Sequence, residues 1–295
     1  MSRMREVRIE LPHISLAALT WGPDDGPLAV LLHGFPDTAH TWRHLGPALA
    51  EHGWRVVAPY LRGYAPSDVA TDGSGHIAAL MADAVGVVDA LGGGPDTVLV
   101  GHDWGAITTN ALAAHDASPF CRVVAMSVPP FPAVRSRGAL RVLPRQLRNS
   151  WYIAFNQVPV VPELVFDRYV RRLWQSWSPG YDATDDLHHL AAALPDRAHR
   201  RAAIGYYRSL ASPFPPPSPY QRWKGAEMRL PVVPVLYLHG AEDRCLDPRL
   251  VSDVRAQLPE GSDTALVAGA GHFLQLEQPA EVNRRILAFL GSAPD

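Results

Sequence analysis

A short run of small residues around Asp103 is the feature of this sequence that most clearly indicates chemistry. The run Gly101–Ala106 directly follows the apolar stretch Thr97–Val100 and precedes a helical pattern. Small residues at positions 101, 105 and 106 let a strand turn abruptly into a helix, which lifts the side chain at position 103 above the sheet. An ordinary loop whose aspartate caps the next helix is the plainer interpretation. The glycine spacing and the partners described below favour a nucleophile.

The residue type at this raised position limits the chemistry. A serine that attacked a saturated carbon would form an ether, which water does not readily cleave. A carboxylate forms an ester instead, and water can attack the ester carbonyl to regenerate Asp103. An aspartate at this turn therefore predicts substrates that are attacked at a saturated carbon, namely epoxides or alkyl halides.

Two later segments supply an acid and a base in the chain order that such a turn requires. Asp243 and His272 each stand just past an apolar run. Catalytic groups of open parallel sheets gather at this edge, so we predict that His272 is the general base for water and that Asp243 orients it. A helix cap and a surface histidine are the plainer interpretations. Asp247, just before a proline, is the better helix cap, and Glu242 and Asp247 remain alternative acids.

A glycine-containing loop early in the chain predicts donors for an oxyanion. His33–Pro36 follows the apolar run Leu28–Leu32 and precedes the nucleophile turn by about seventy residues. The N–H groups of Phe35 and Trp104 could together hold the negative oxygen of the tetrahedral intermediate that forms on Asp103.

Short apolar runs alternate with helical patterns, which is typical of βαβ units around a buried, mostly parallel sheet. The predicted strands are Leu28–Leu32, Trp54–Ala58, Thr97–Val100, Cys121–Met126, Val232–Leu238 and Thr264–Val267. The predicted helices are Thr41–His52, Ile77–Leu91, Ala106–Ala114, Pro248–Gln257 and Ala280–Leu290. Between positions 131 and 220 only helical patterns occur. We therefore predict an α/β fold whose mostly parallel central sheet is flanked by helices, with a core of residues 1–130 and 221–295 and an inserted helical cap of residues 131–220.

Composition excludes several classes of partner. The chain has 295 residues and a net charge of -2, so neither nucleic acid nor an anionic membrane is expected to bind. No segment approaches the roughly 20 uninterrupted apolar residues of a spanning helix. The two cysteines, Cys121 and Cys245, suit a reducing compartment, and we predict a cytoplasmic location. The pair His188 and His189 lacks a suitably spaced third ligand, so no metal is expected.

At these motifs the sequence resembles the epoxide hydrolase branch of the α/β-hydrolase fold. The resemblance covers almost the whole chain and includes two tyrosines of the cap, which in that family donate hydrogen bonds to the epoxide oxygen. The stretch Trp151–Gln157 matches the first tyrosine motif, and Tyr206-Tyr207-Arg208 matches the second. The resemblance therefore implies that Tyr152 and Tyr207 are the donors, with Tyr206 as a neighbour that packs or substitutes. Simple packing is the plainer role for either tyrosine.

The reaction implied is the hydrolysis of a small hydrophobic epoxide to a vicinal diol, with no metal or organic cofactor. A phenol of pKa about 10 can donate to the alkoxide that leaves the carbon. Apolar side chains are expected to line the substrate pocket, and we predict Trp42, Phe131, Trp151 and Phe155. A homodimer is left open.

Two other functions remain as alternatives. A haloalkane or haloacetate dehalogenase would share the aspartate nucleophile, and Trp104 could cradle a halide. Haloalkane dehalogenases usually place asparagine where this chain has Phe35, and haloacetate dehalogenases usually place arginine where Trp104 stands. The second alternative is a non-catalytic ligand receptor on the same fold, which would have no need of His272.

Overall fold

The computed structural model describes residues 3–134, 139–251 and 253–293. Its strands are β1 Arg5–Leu11, β2 Ile14–Trp21, β3 Leu28–Leu32, β4 Arg55–Pro59, β5 Val98–His102, β6 Arg122–Met126, β7 Val235–Gly240 and β8 Asp263–Val267. Within the described residues these eight strands form one sheet in the order β1-β2-β4-β3-β5-β6-β7-β8. The strands from β3 to β8 run parallel, whereas β1 and β2 form an antiparallel hairpin and β2 pairs antiparallel with β4. The predicted mostly parallel sheet is confirmed.

Helices cover the sheet and fill the connection between β6 and β7. The helices are α1 Leu45–Glu51, α2 Ile77–Leu91, α3 Trp104–Ala113, α4 Ala139–Asn149, α5 Trp151–Phe155, α6 Val161–Leu164, α7 Phe166–Trp177, α8 Thr184–Ala193, α9 Arg197–Leu210, α10 Leu274–Glu277 and α11 Pro279–Leu290. Short 3₁₀ turns span Ala39–Arg43, Phe131–Val134, Ser218–Trp223, Ala226–Met228, Pro248–Val251 and Val254–Gln257. We refer to α4–α9, which all lie between β6 and β7, as the inserted helices.

The central strands are buried along their whole length. Every residue of β3, β5 and β7 is buried, and these strands read as continuous apolar runs rather than as alternating ones. That pattern arises because helices cover both faces of a parallel sheet. The carboxyl ends of β3, β5 and β7 therefore open onto one edge, where the loops after them can meet.

The inserted helices are held to the sheet edge chiefly by α7. Its apolar positions recur at helical spacing, and the buried residues include Trp174 and Trp177. The Trp174 ring stacks on Phe273 with centroids 3.4 Å apart, and its indole N–H donates to the carbonyl oxygen of Pro36 at 2.8 Å. These contacts place the inserted helices directly over the loops that carry the predicted catalytic residues.

Three sequence predictions of local structure need correction. The strand Ile14–Trp21 was not predicted, because the polar residues Ser15 and Thr20 break up its apolar run, although every position is buried. The helix expected over Thr41–His52 divides into a 3₁₀ turn and α1, which starts only at Leu45. The helix expected over Pro248–Gln257 forms two 3₁₀ turns, in which backbone bonds span three residues.

None of the helices in the described ranges combines the length and the apolar character that crossing a membrane requires.

Candidate active site

The turn at Asp103 has the geometry that the sequence predicts. Asp103 separates β5 from α3 and adopts φ 53° and ψ -114°, a conformation that few residues other than glycine accept. A side chain at Gly101 would collide with the carbonyl of Gly105, and one at Gly105 would collide with the carbonyl of Leu32. Both glycines are therefore needed for α3 to start so close to the sheet. The strained backbone and the close packing lift the Asp103 carboxylate above the edge of the sheet.

The loop after β3 brings a backbone donor to this carboxylate. The N–H of Phe35 donates to Oδ1 of Asp103 at 2.8 Å. A side chain at Gly34 would overlap the Asp103 carboxylate, so glycine permits this close approach. The peptide bond between Phe35 and Pro36 is cis. Among the described residues, the N–H of Trp104 makes no side-chain hydrogen bond to Asp103, so only the first predicted donor is in contact.

His272 and Asp243 meet Asp103 at the same edge. Nδ1 of His272 lies 3.0 Å from Oδ2 of Asp243, and its Nε2 lies 3.6 Å from Oδ2 of Asp103. Asp103 exposes 4% of its surface and His272 none. Nε2 of His272 has no hydrogen-bond partner among the described residues. The ring is thus anchored by one nitrogen and presents the other toward Asp103.

Asp243 serves both as a turn cap and as the orienter of His272. Its Oδ1 accepts from the N–H groups of Cys245 at 2.6 Å and Leu246 at 3.1 Å, while Oδ2 faces the histidine. Burial alone would raise the pKa of Asp243, but the charge and hydrogen bond of His272 outweigh it and lower the pKa. Asp243 is therefore ionised. Asp247 caps the 3₁₀ turn that follows by accepting from the N–H of Arg249 at 3.1 Å.

The charges around His272 determine its protonation. Burial alone would lower the pKa of His272, but the nearby carboxylates of Asp243 and Asp103 outweigh it and hold the pKa well above its usual range. Glu242, the alternative acid, is exposed at the surface. Carboxylates on both sides of the ring therefore favour the protonated imidazole.

Several residues that the sequence did not reveal hold the His272 loop. The carbonyl oxygen of His272 lies 2.9 Å from Nε2 of His102 and accepts from the hydroxyl of Ser127 at 2.7 Å. Glu277 accepts from the N–H groups of Gly271 at 2.9 Å and Phe273 at 3.1 Å. The position of His102 beside the nucleophile was the one sequence signal available. Ser127 has φ 67° and carried no recognisable pattern.

Tyr152 and Tyr207 approach the site from the inserted helices, and the centroid of the Tyr207 ring lies 5.2 Å from that of Phe35 and 5.1 Å from that of Trp104. They lie on α5 and α9, and their rings are perpendicular with centroids 5.6 Å apart. The Tyr207 hydroxyl is buried and has no hydrogen-bond partner in the described part of the chain. The Tyr152 hydroxyl lies 3.4 Å from the sulfur of Cys245. Burial and the nearby charge of Asp103 raise the pKa of both phenols well above 10, so both remain proton donors.

Tyr206 is turned away from this group. Its hydroxyl donates to the carbonyl oxygen of Arg62 at 2.7 Å. It lines a cavity of about 580 Å³ whose wall includes Arg62 and Phe214 but not Asp103. Tyr206 therefore packs beside the site, which leaves Tyr207 as the residue of the pair that faces the carboxylate.

The predicted pocket walls lie at different depths. Trp42 is fully buried and Phe131 half-buried, and among the described residues neither ring contacts Tyr152 or Tyr207. Trp151 exposes 39% of its surface and packs on Phe155. The rings that do surround the two phenols are those of Phe35, Trp104 and Trp177.

The site brings together the groups that an acyl or alkyl transfer reaction needs. Among the residues that the structure describes, no group of three or more His, Cys, Asp or Glu side chains is arranged to hold a metal ion. A buried carboxylate, an oxyanion donor, an oriented imidazole and two phenols converge instead.

Comparisons with known proteins agree with this architecture. A family described as the alpha/beta hydrolase fold matches residues 27–279. An epoxide hydrolase of Caballeronia sordidicola is 31% identical in an alignment that covers 97% of this chain and 94% of that protein. The crystal structure of epoxide hydrolase A from Mycobacterium thermoresistibile superposes with a TM-score of 0.76 at 26% identity, with 99% of each chain covered.

A fourth comparison concerns the rival enzyme class. A haloalkane dehalogenase variant from Bradyrhizobium elkanii superposes with a TM-score of 0.78 over 98% of this chain and 96% of that one. Its identity of 19% shows the shared fold alone. The chain therefore belongs to the α/β-hydrolase fold family. Within that family it falls in the epoxide hydrolase branch, as the sequence motifs predicted.

Proposed function

We propose that the protein hydrolyses an apolar epoxide to a vicinal diol through an alkyl ester on Asp103. The observation that carries this proposal is that two buried phenols, of Tyr152 and Tyr207, pack on each other and on the rings of Phe35 and Trp104, which adjoin a buried carboxylate that meets His272. Epoxide opening needs a nucleophile and a proton donor on opposite sides of one small molecule, and this arrangement supplies both. We also propose that residues 131–220 form the cap that delivers the phenols.

The first step forms the ester. Oδ1 of Asp103 is held by the N–H of Phe35, which leaves Oδ2 to attack the less hindered epoxide carbon. The carbon–oxygen bond of the epoxide breaks, and its electron pair moves to the epoxide oxygen. That oxygen takes a proton from Tyr152 or Tyr207, and the neighbouring phenol donates a hydrogen bond.

The second step hydrolyses the ester. A water near Nε2 of His272 gives its proton to the imidazole and attacks the carbonyl carbon of Asp103. The N–H of Phe35 then holds the oxyanion, and the N–H of Trp104, at the start of α3, is the second donor that we propose. Collapse of the tetrahedral intermediate releases the diol and restores the carboxylate.

The proton balance of the cycle agrees with the electrostatics of His272. Ring opening consumes one proton, and ester hydrolysis releases one. The raised pKa of His272 favours a protonated imidazole at the start of the cycle, and this proton can replace the one that the phenol gives up. Alkylation removes the charge of Asp103 and so lowers the pKa of His272, whose proton passes to the phenolate that ring opening left. The imidazole is then neutral and can accept a proton from water. Water attack then returns the proton to His272.

The pocket favours an apolar substrate. The rings of Phe35, Trp104 and Trp177 surround the two phenols, and the phenols offer the epoxide oxygen its hydrogen bonds. A halide leaving group would not need a proton from either phenol, so the two tyrosines favour the epoxide over the dehalogenase function.

The test is diol formation from a panel of aryl and alkyl epoxides, beginning with styrene oxide. The wild-type protein is compared with Asp103→Asn and with Glu242→Gln, which changes the exposed carboxylate beside Asp243. We expect diol from the wild type and from Glu242→Gln and none from Asp103→Asn. Halide release from haloalkanes without any diol would support the dehalogenase, and ligand binding without turnover would support a receptor.

A further inference from the structure

Cys245 lies at the junction between the acid loop and the inserted helices. Its N–H donates to Oδ1 of Asp243 at 2.6 Å, so its backbone is fixed by the residue that orients His272. Its side chain exposes 4% of its surface. The sulfur points toward the proposed proton donors, since it lies 3.4 Å from the hydroxyl oxygen of Tyr152. Neither the proposed ester step nor the hydrolysis step uses this thiol.

A second contact fixes the loop of Cys245 against the inserted helices. Gln146, on α4, donates from its amide nitrogen to the carbonyl oxygen of Cys245 at 2.9 Å, and its amide oxygen accepts from the N–H of Asp247 at 3.0 Å. One side chain therefore bonds to both ends of a three-residue stretch. The backbone of Cys245 is thus held by Asp243 on one side and by Gln146 of α4 on the other, and α5, which carries Tyr152, follows α4 directly.

The two phenols differ in what holds them without substrate. The Tyr207 hydroxyl has no partner among the described residues, whereas the Tyr152 hydroxyl lies 3.4 Å from the sulfur of Cys245. A thiol is a weak donor and acceptor, so the bond orients the phenol but yields to an epoxide oxygen. Burial raises the pKa of the Cys245 thiol, which therefore stays neutral and places no charge beside the phenol.

We propose that Cys245 is a positioning residue that holds the Tyr152 hydroxyl in place for ring opening. This inference rests on the proposed function and deepens it. A neutral sulfur at this point keeps the phenol directed at the site and releases it when the epoxide oxygen arrives. A serine hydroxyl would keep the phenol oriented but would compete more strongly with the epoxide, and alanine would leave the phenol without a partner.

The experiment measures the two chemical steps separately. Rapid-quench single turnovers with styrene oxide give the rate of ester formation and the rate of ester hydrolysis. The variants are Cys245→Ala, Cys245→Ser, Tyr152→Phe and the double variant Cys245→Ala/Tyr152→Phe. Cys121→Ala, which changes the exposed cysteine at the start of β6, is the matched control. Thermal unfolding shows which variants fold, and Cys245→Ser keeps the test valid if alanine destabilises the core.

We expect Cys245→Ala to slow ester formation about threefold to tenfold, as the loss of one weak hydrogen bond predicts. Ester hydrolysis should be unchanged, Cys245→Ser should restore part of the rate, and alanine should have no further effect once Tyr152 is phenylalanine. Slowed ester hydrolysis, or an equal loss with and without the Tyr152 hydroxyl, would overturn the proposal, and so would no change at all. A wild-type protein that forms no ester would instead refute the proposed function itself, and this inference with it.

Discussion

The two sides of the candidate site are built differently. On the sheet side, the carboxylates of Asp243 and Glu277 accept hydrogen bonds from backbone N–H groups of the loops around His272. The hydroxyl of Ser127 donates to the carbonyl oxygen of His272. On the side of the inserted helices, Tyr152 has only a sulfur for a partner and the Tyr207 hydroxyl has none among the described residues. Both sides are buried, so this contrast does not come from solvent exposure.

The contrast follows from what each step of the proposed reaction requires. Ester hydrolysis uses a water and an imidazole whose position must be correct before the water arrives, so preorganisation lowers its barrier. Ring opening uses donors whose partner is the substrate oxygen itself. A strong partner for either phenol would compete with the epoxide, whereas an unpaired buried hydroxyl costs stability until the substrate binds. We therefore expect substitutions on the two sides to affect different steps.

The largest expected effect comes from His272→Gln. Without a base the ester should accumulate, and multiple-turnover diol formation should fall about 10²–10⁴-fold, while ester formation stays within about tenfold of wild type. Rapid-quench kinetics and intact-protein mass measure both quantities, with the surface variant His52→Gln as control. An ester that hydrolyses at the wild-type rate in His272→Gln would show that His272 is not the general base.

The tyrosine variants test the other side. Tyr152→Phe and Tyr207→Phe should each slow ester formation about tenfold to a hundredfold and leave ester hydrolysis unchanged. Tyr206→Phe is the matched control, since its hydroxyl bonds to Arg62 instead of facing Asp103. A slower hydrolysis step in Tyr207→Phe, or a loss in Tyr206→Phe as large as that in its neighbour, would contradict the division between the two sides.

Asp37 allows a test through the pH dependence of protein stability. It follows the Phe35 loop, and burial together with the charge of Asp186 on α8 raises the pKa of Asp37 to about 7. An unfolded aspartate titrates near 3.9, so between about pH 4 and pH 7 the folded protein binds the extra proton and its stability falls as the pH rises.

Asp37→Asn should therefore be more stable than wild type at pH 8, by about 4 kcal/mol, and the difference should shrink toward pH 4. Urea unfolding at several pH values measures it, with Asp25→Asn, an exposed aspartate, as control. A stability difference that does not change with pH would show that Asp37 does not titrate in this range.

The smallest effect is expected at Ser127. Its hydroxyl supports the carbonyl oxygen of His272, so Ser127→Ala should slow ester hydrolysis about threefold to tenfold and leave ester formation unchanged. Single-turnover kinetics measure both rates, and Ser176→Ala on α7 is the control. Slower ester formation in Ser127→Ala would show that the sheet side also acts in ring opening.

The sequence predicted the parts of this site that local backbone rules determine. The glycines around Asp103 and the apolar runs before Asp243 and His272 follow from how a strand turns into a helix or a loop. The two cap tyrosines came from family resemblance and not from the physical pattern. The alternation of strands and helices predicted the parallel part of the sheet, and the hairpin strand Ile14–Trp21 was missed because Ser15 and Thr20 break up its apolar run.

What the sequence could not give was contact between distant loops. Ser127 meets His272 across 145 positions and Cys245 meets Tyr152 across 93. No local pattern marks such pairs, because they arise only when the inserted helices pack on the sheet edge. The sequence predicts Asp243 as the acid, and its second role as a turn cap became visible only with the two N–H donors in place.

The most direct test of the central claim is the fate of water oxygen in one turnover. Excess wild-type protein is mixed with styrene oxide in H₂¹⁸O, and the diol and the Asp103 peptide are analysed by mass. An ester route predicts that the first diol carries no ¹⁸O, because its new oxygen comes from Asp103, while ¹⁸O appears in the Asp103 carboxylate. A first diol that carries ¹⁸O, with an unlabelled Asp103, would show direct attack by water and contradict the account.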